Sequence, residues 1–167
     1  GIRIPNSSYG LFILDFVSEI YQIKYIPANC FSVGGHAVLI FQYADYIFLK
    51  NKLKEDGVTE WYFVVRFLAA TGARVSELVQ LKVEHVNIGY FDIYTKGGKI
   101  RRIYIPMKLR MEAEEWLKQT KRASGYLFLN RYGERITTRG ISQQLKNYAE
   151  KYGLNKKVVY PHSFRHR

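Results

Sequence analysis

Apolar positions along this chain change their spacing repeatedly, and each change marks a predicted element. From Phe41 to Leu53 they recur at helical spacing, and the Asp56-Gly57 pair closes that helix. Thr59 can cap a strongly apolar second helix, Glu60 to Ala70, which ends at Thr71-Gly72, and a short third helix, Val75 to Leu81, follows at once. Then the period drops to two. Glu84–Ile88, Phe91–Thr95 and Ile100–Ile105 read as three short antiparallel strands, the last two joined by a turn over Lys96-Gly97-Gly98-Lys99. Pro106 ends the sheet, and Met107 to Ala123 reads as a helix with Leu109, Ala113, Trp116 and Leu117 on one face. After an apolar piece, Gly125 to Leu129, either Thr137 or Thr138 caps a helix that Gly153 closes, with Ile141, Leu145 and Tyr148 as its buried stripe. Pro161 to Arg167 reads as the first turns of another helix. The predicted class is α+β, mostly helical with a small three-stranded antiparallel sheet.

Residues 1–40 read differently. They are rich in Ile, Phe, Tyr and Val, hold few charges, and follow neither period cleanly. A helix over Leu11–Tyr21 fits, but Pro27 and Gly34-Gly35 break anything longer. The expected division is therefore 1–40, an arm or sequence foreign to the parent protein, and 41–167, the domain. A single cysteine, Cys30, excludes an internal disulfide and a cysteine-rich zinc site. No run of eighteen apolar residues occurs and the start lacks a secretory pattern, so a soluble, cytoplasmic protein without a membrane partner is expected.

Charge narrows the function. The net charge of +12 lies entirely in residues 90–167, with eighteen Lys/Arg against six Asp/Glu, whereas residues 1–89 hold eight of each. Such asymmetry suits a polyanion, and nucleic acid is favoured over an anionic membrane because no basic amphipathic helix with an aromatic face stands out.

Three segments hold residues that turn and cap chemistry does not explain. In Ala70-Thr-Gly-Ala-Arg74-Val-Ser-Glu77-Leu78, Arg74 sits at a break between helices, and taken alone it is a surface residue or a partner of Glu77. In Tyr94-Thr-Lys96-Gly-Gly-Lys99-Ile-Arg101-Arg102, the glycines make the turn and the four cations are either solvated or bound to phosphate. In Tyr160-Pro-His162-Ser-Phe-Arg165-His166-Arg167, His162 and Arg165 share a helix face at a helix start suited to phosphate. The His162/His166 pair also has zinc-helix spacing, but without an intervening Glu or an obvious third ligand.

Together, from about Gln42 to Arg167 and in this order, a Thr-Gly-x-Arg-x-x-Glu-Leu segment, a Lys-Gly-x-Lys hairpin followed by Arg and Ile-Pro, and a Pro-His-x-x-Arg-His segment resemble the tyrosine recombinases of phages, transposons and chromosome resolution. The resemblance implies a recombinase catalytic domain, incomplete at its C-terminus, that breaks and rejoins DNA through a phosphotyrosine. It implies active-site roles for Arg74, Lys96, His162 and Arg165, with Glu77 and His166 supporting them. It also implies no cofactor, with double-stranded DNA and further recombinase protomers in a synaptic complex as partners. The family's next His or Trp and its nucleophilic tyrosine belong downstream of the second arginine. All fourteen tyrosines precede His162, so this stretch is expected to be inactive alone. Lys99, Arg101, Arg102, Lys108, Arg131, Arg135 and Arg139 are candidate contacts to the DNA backbone. The competing expectations are a non-catalytic DNA-binding module or decayed relative and, further off, a type IB topoisomerase.

Overall fold

The computed structural model describes residues 31–33, 36–38, 43–94 and 97–165, with side chains over 43–94 and 97–165. The helix expected over Leu11–Tyr21 lies outside the described residues. Strands β1 (Phe31–Val33) and β2 (His36–Val38) pair antiparallel. Helix α1 (Tyr43–Glu55) then turns at Gly57, whose φ of 69° is open to glycine at no steric cost.

Helix α2 (Thr59–Thr71) buries seven consecutive residues, Tyr62 to Leu68. Seven buried residues in a row, six of them apolar or aromatic and one of them Arg66, face every side of a helix, and α2 accordingly packs against both α1 and the helix beyond the sheet. Its N-cap is Val58, not Thr59: the Thr59 hydroxyl donates to the Gly57 carbonyl at 3.5 Å from inside the first turn. There its backbone is already helical, whereas a capping side chain hangs from an extended residue.

The expected third helix is shorter than its apolar pattern, α3 (Val75–Leu78). The expected strand Glu84–Ile88 is instead a helix, α4 (Val83–Ile88). The structure buries Val83 and Val86, three apart on one helical face, and leaves Ile88 53% exposed. Two local signals favour the helix: His85 Nδ1 accepts from the Lys82 amide at 3.0 Å, and Gly89 ends it at φ 88°. The sheet here is thus a two-stranded hairpin, β3 (Tyr90–Tyr94) with β4 (Ile100–Tyr104), in the register Phe91 to Ile103 and Ile93 to Arg101.

That cap is sensitive to acid. Burial first, and the Lys82 charge second, hold the His85 imidazole below its usual range, against the opposing pull of Glu84 and Asp92. A depressed folded pKa means that the unfolded chain takes up the proton first. The stabilisation is therefore whole above about pH 6.5 and is lost as pH falls below it. Melting temperature should drop more between pH 7.5 and pH 5.5 in the parent sequence than in His85→Gln, whose amide oxygen can accept and does not titrate. Equal drops in the two proteins would remove His85 from the acid response.

Helix α5 (Met107–Gln119) buries Leu109, Ala113, Trp116 and Leu117, the face expected. It stops short of Ala123 because the Thr120 hydroxyl donates back to the Trp116 carbonyl at 2.9 Å and Lys121 takes a left-handed φ of 54°. Helix α6 (Thr138–Lys151) is capped by Thr137, whose Oγ1 accepts from the Gly140 amide at 2.9 Å. Ile141, Leu145 and Ala149 are its fully buried stripe, while Tyr148 is half-buried against Trp61. Where the first turns of a helix are expected, Pro161–Phe164 forms a 3-10 turn, and residues 166–167 lie outside the described residues. Aromatic pairs knit these layers around α2. Phe63 stacks on Trp116 at 4.7 Å, Phe67 meets Phe128 edge-on at 5.7 Å, and each pair adds about 0.5–1.5 kcal/mol beyond its burial.

Candidate active site

Three separate segments meet beside the C-terminal end of α2. The first is the turn from α2 into α3. Gly72 caps α2 with φ 64°, and no atom lies within 4 Å of where its Cβ would be, so backbone conformation rather than space requires glycine. Thr71 Oγ1 donates to the Phe67 carbonyl at 2.6 Å and accepts from the Ala73 amide at 3.2 Å, while Ala73 is wholly buried. A rigid turn therefore delivers Arg74, the residue capping α3, with its side chain 60% exposed.

Glu77, one turn on, is buried, and its carboxylate joins two segments. Oε2 accepts from the Arg74 amide at 2.7 Å, and Oε1 accepts from Arg101 Nη1 on β4 at 2.9 Å. The Arg74 guanidinium stands farther off, with Nη1 3.7 Å from Oε1. Arg74 is thus both a largely exposed cation and a neighbour of Glu77.

Strand alternation explains the hairpin's contribution. On β4, Arg101 and the buried Ile103 share the inward face, while Arg102 and Tyr104 share the outward one. Arg102 makes a two-pronged pair with Asp92, both bonds 2.8 Å, and lies 4.0 Å over the Tyr90 ring. That pairing holds the Asp92 carboxyl below its ordinary range, first through the hydrogen bonds, which outweigh an opposing effect of burial, and then through the charge of Arg102. Two neighbouring arginines that read alike in sequence therefore lie on opposite faces. Period two was the signal that separates them.

The third segment is the 3-10 turn. Pro161 and Phe164 are buried, and Phe164 meets Tyr46 edge-on at 6.3 Å. Those two anchors leave His162 exposed and Arg165 partly so. Side chains three apart eclipse on a 3-10 turn, so His162 and Arg165 lie to one side. Arg165 Nε donates to the Gly72 carbonyl at 2.9 Å, across 93 residues of chain, which brings the two arginine-bearing segments together. Neither that carbonyl nor the Arg101–Glu77 bond is visible in a one-dimensional motif.

Lys96 and His166 lie outside the described residues. Lys99, Arg102, Lys108, Arg131, Arg135 and Arg139 are exposed and Arg101 half-buried, with Arg131 4.8 Å over Tyr132 and Arg135 5.3 Å over Tyr126. Among the described residues there is no group of three or more His, Cys, Asp or Glu able to hold a metal ion. No described helix is long and apolar enough to cross a membrane. Chemically, the arrangement presents two permanently charged planar donors, held by backbone and by a buried acid, beside an imidazole. That is a set suited to the oxygens of a phosphate.

Comparison with known proteins follows the same outline. Residues 40–167 match the model of the phage integrase family. Tyrosine recombinase XerD of Staphylococcus haemolyticus is 33% identical over 113 residues, 62% of this chain and 37% of that protein. Tyrosine recombinase XerA of Pyrococcus furiosus is 37% identical over 109 residues, with the same coverage of 62% and 37%. The chain thus spans little more than a third of these relatives. Among solved structures, XerA recombinase superposes with a TM-score of 0.64 at 21% identity, covering 94% of this chain and 57% of that one. The Tn1549 transposon integrase in complex with transposon right end DNA gives 0.59 at 18%, covering 81% and 53%. At these identities the structures show a shared fold: mostly helical, with a small antiparallel sheet.

Proposed function

This chain belongs to the phage integrase family of tyrosine recombinases, and we propose that its domain serves site-specific breakage and rejoining of double-stranded DNA. The observation that carries the reading is the Arg165–Gly72 bond, which sets a second arginine beside the turn that presents Arg74. In the proposed reaction a tyrosine oxygen attacks the phosphorus, the bond to the 5′ oxygen breaks, and charge gathers on the non-bridging oxygens. Arg74 and Arg165 clamp those oxygens, since a guanidinium donates two parallel bonds and never loses its charge. His162 adds a donor or exchanges the tyrosine proton, and Lys96 protonates the departing 5′ oxygen. The tyrosyl ester conserves the bond energy, so rejoining by the reverse attack needs no cofactor.

Glu77 and His166 support this set, and Lys99, Arg102 and Arg139, with Lys108, Arg131 and Arg135, supply phosphate contacts, whereas Arg101, expected among them from the sequence, is bonded to Glu77. Solved structures of the same fold include a recombinase bound to its difH substrate and an integrase bound to transposon right end DNA, which supports DNA as the ligand, and the proposed working unit is a synaptic complex of several protomers. None of the fourteen tyrosines follows His162, so the nucleophile is assigned to none of them. These 167 residues by themselves should bind DNA without cleaving it.

Duplex affinity, followed by fluorescence anisotropy across a salt series, should fall along a straight logarithmic line with a slope of about −0.9 per phosphate neutralised. The double substitution Arg74→Ala/Arg165→Ala should weaken binding and flatten that line. Absence of binding at low salt would sink the DNA reading. A covalent adduct on a nicked suicide duplex would overturn the assignment of the nucleophile elsewhere.

A further inference from the structure

We infer that Arg101 is a positioning residue: through the buried Glu77 carboxylate it ties the β3–β4 hairpin to the turn bearing Arg74, and it keeps Arg74 out of a close ion pair. The inference rests on the reading of Arg74 as a phosphate ligand. Its ground is the geometry around one carboxylate. The Glu77 side chain is 6% exposed, against 37% for Arg101 and 60% for Arg74. Of the two guanidinium groups near it, only that of Arg101 is within hydrogen-bond distance, at 2.9 Å against 3.7 Å.

A buried carboxylate needs a close cation, because burial penalises the charged form. If Arg101 did not supply that cation, the nearest one to draw in would be Arg74. Its guanidinium would then be held by protein instead of being presented to an anion. Arg101 thus neutralises Glu77, and the Arg74 amide bond to Oε2 fixes the turn. The same contact ties the hairpin whose turn contains Lys96 to the Arg74 segment, so the two sides of the site hold one another. The inward position of Arg101 beside Ile103, opposite to Arg102, is what strand alternation demands of such a strut.

The rival role for Arg101 is direct phosphate contact, and two measurements on the 167-residue chain separate them. The first is the amide proton shift of Arg74 in the 15N-labelled protein without DNA. Arg101→Gln should move it upfield, together with its immediate neighbours, while amides across α5 and α6 stay in place. Arg101→Lys, which keeps a cation, should bring it most of the way back.

The second is duplex affinity in a double-substitution set. Arg74→Ala should cost about tenfold, the scale of one lost charge-assisted bond. Arg101→Gln should cost less, and the two together no more than Arg74→Ala alone. An Arg74 amide unmoved by Arg101→Gln, or losses that multiply in the double variant, would overturn the proposal. If the unsubstituted chain binds no duplex at all, the functional reading fails on its own, and the amide shift still decides whether Arg101 acts through Glu77.

Discussion

Phe164→Ala is expected to lower the unfolding free energy by about 3–5 kcal/mol, the usual loss when a large aromatic is cut from a packed core. Phe164 has no solvent exposure, meets Tyr46 edge-on, and with the buried Pro161 anchors a four-residue turn. The ring is therefore both core and clasp. Its loss should also loosen the bond from Arg165 to the Gly72 carbonyl, which depends on where the turn sits. Urea unfolding measures the first effect. Duplex affinity of the still-folded fraction, held at low temperature, measures the second. Phe164→Leu, which keeps an apolar plug, should lose less than Phe164→Ala in both. A loss under about 1 kcal/mol for the alanine variant would show that the turn is held by something other than this ring.

Glu77→Ala should cost about 3 kcal/mol, the low end for breaking a buried ion pair, because both arginines beside it reach water and can be resolvated. Removing the carboxylate leaves the Arg74 amide and Arg101 without their acceptor at once. Glu77→Gln keeps one oxygen for the amide but brings an NH2 against a guanidinium, so its cost should fall between the two proteins. Thermal and urea unfolding of the three, at one salt concentration, give the order. If Glu77→Gln proved as stable as the parent sequence, the charge of Glu77 would be irrelevant to the joint.

Both results bear on how the site is built. Each of the site's three described arginines is held by a polar or backbone attachment. Arg74 is aimed by a rigid turn, Arg101 by a buried acid, and Arg165 by a backbone carbonyl. Such attachments hold a charged group in register while leaving much of its surface to a ligand. They also make the site a joint between segments far apart in sequence.

Much of this could be read in one dimension. The helical spacing of α1, α2, α5 and α6 follows from burial of one or more faces, and the residues doing so carry their own pattern. A threonine cap at 137 or 138, settled on Thr137 by the structure, and Gly57 and Gly72 as stops are local chemistry, decided within a few residues. The three motifs and the basic half of the chain likewise need no fold to be seen.

Where local patterns were nearly balanced, packing decided. Val83–Ile88 carries both periods, and it becomes a helix because burying Val83 with Val86 agrees with the His85 cap and the Gly89 stop. Alternation along β4 sets Arg101 and Arg102 on opposite faces, and the hairpin's seat on the core decides that Arg101 meets Glu77 while Arg102 pairs outward with Asp92. The union of Arg74 with Arg165 likewise belongs to the tertiary structure. Its physical reason is that a hydrogen bond spanning 93 residues forms only after buried rings such as Phe164 have brought the segments together.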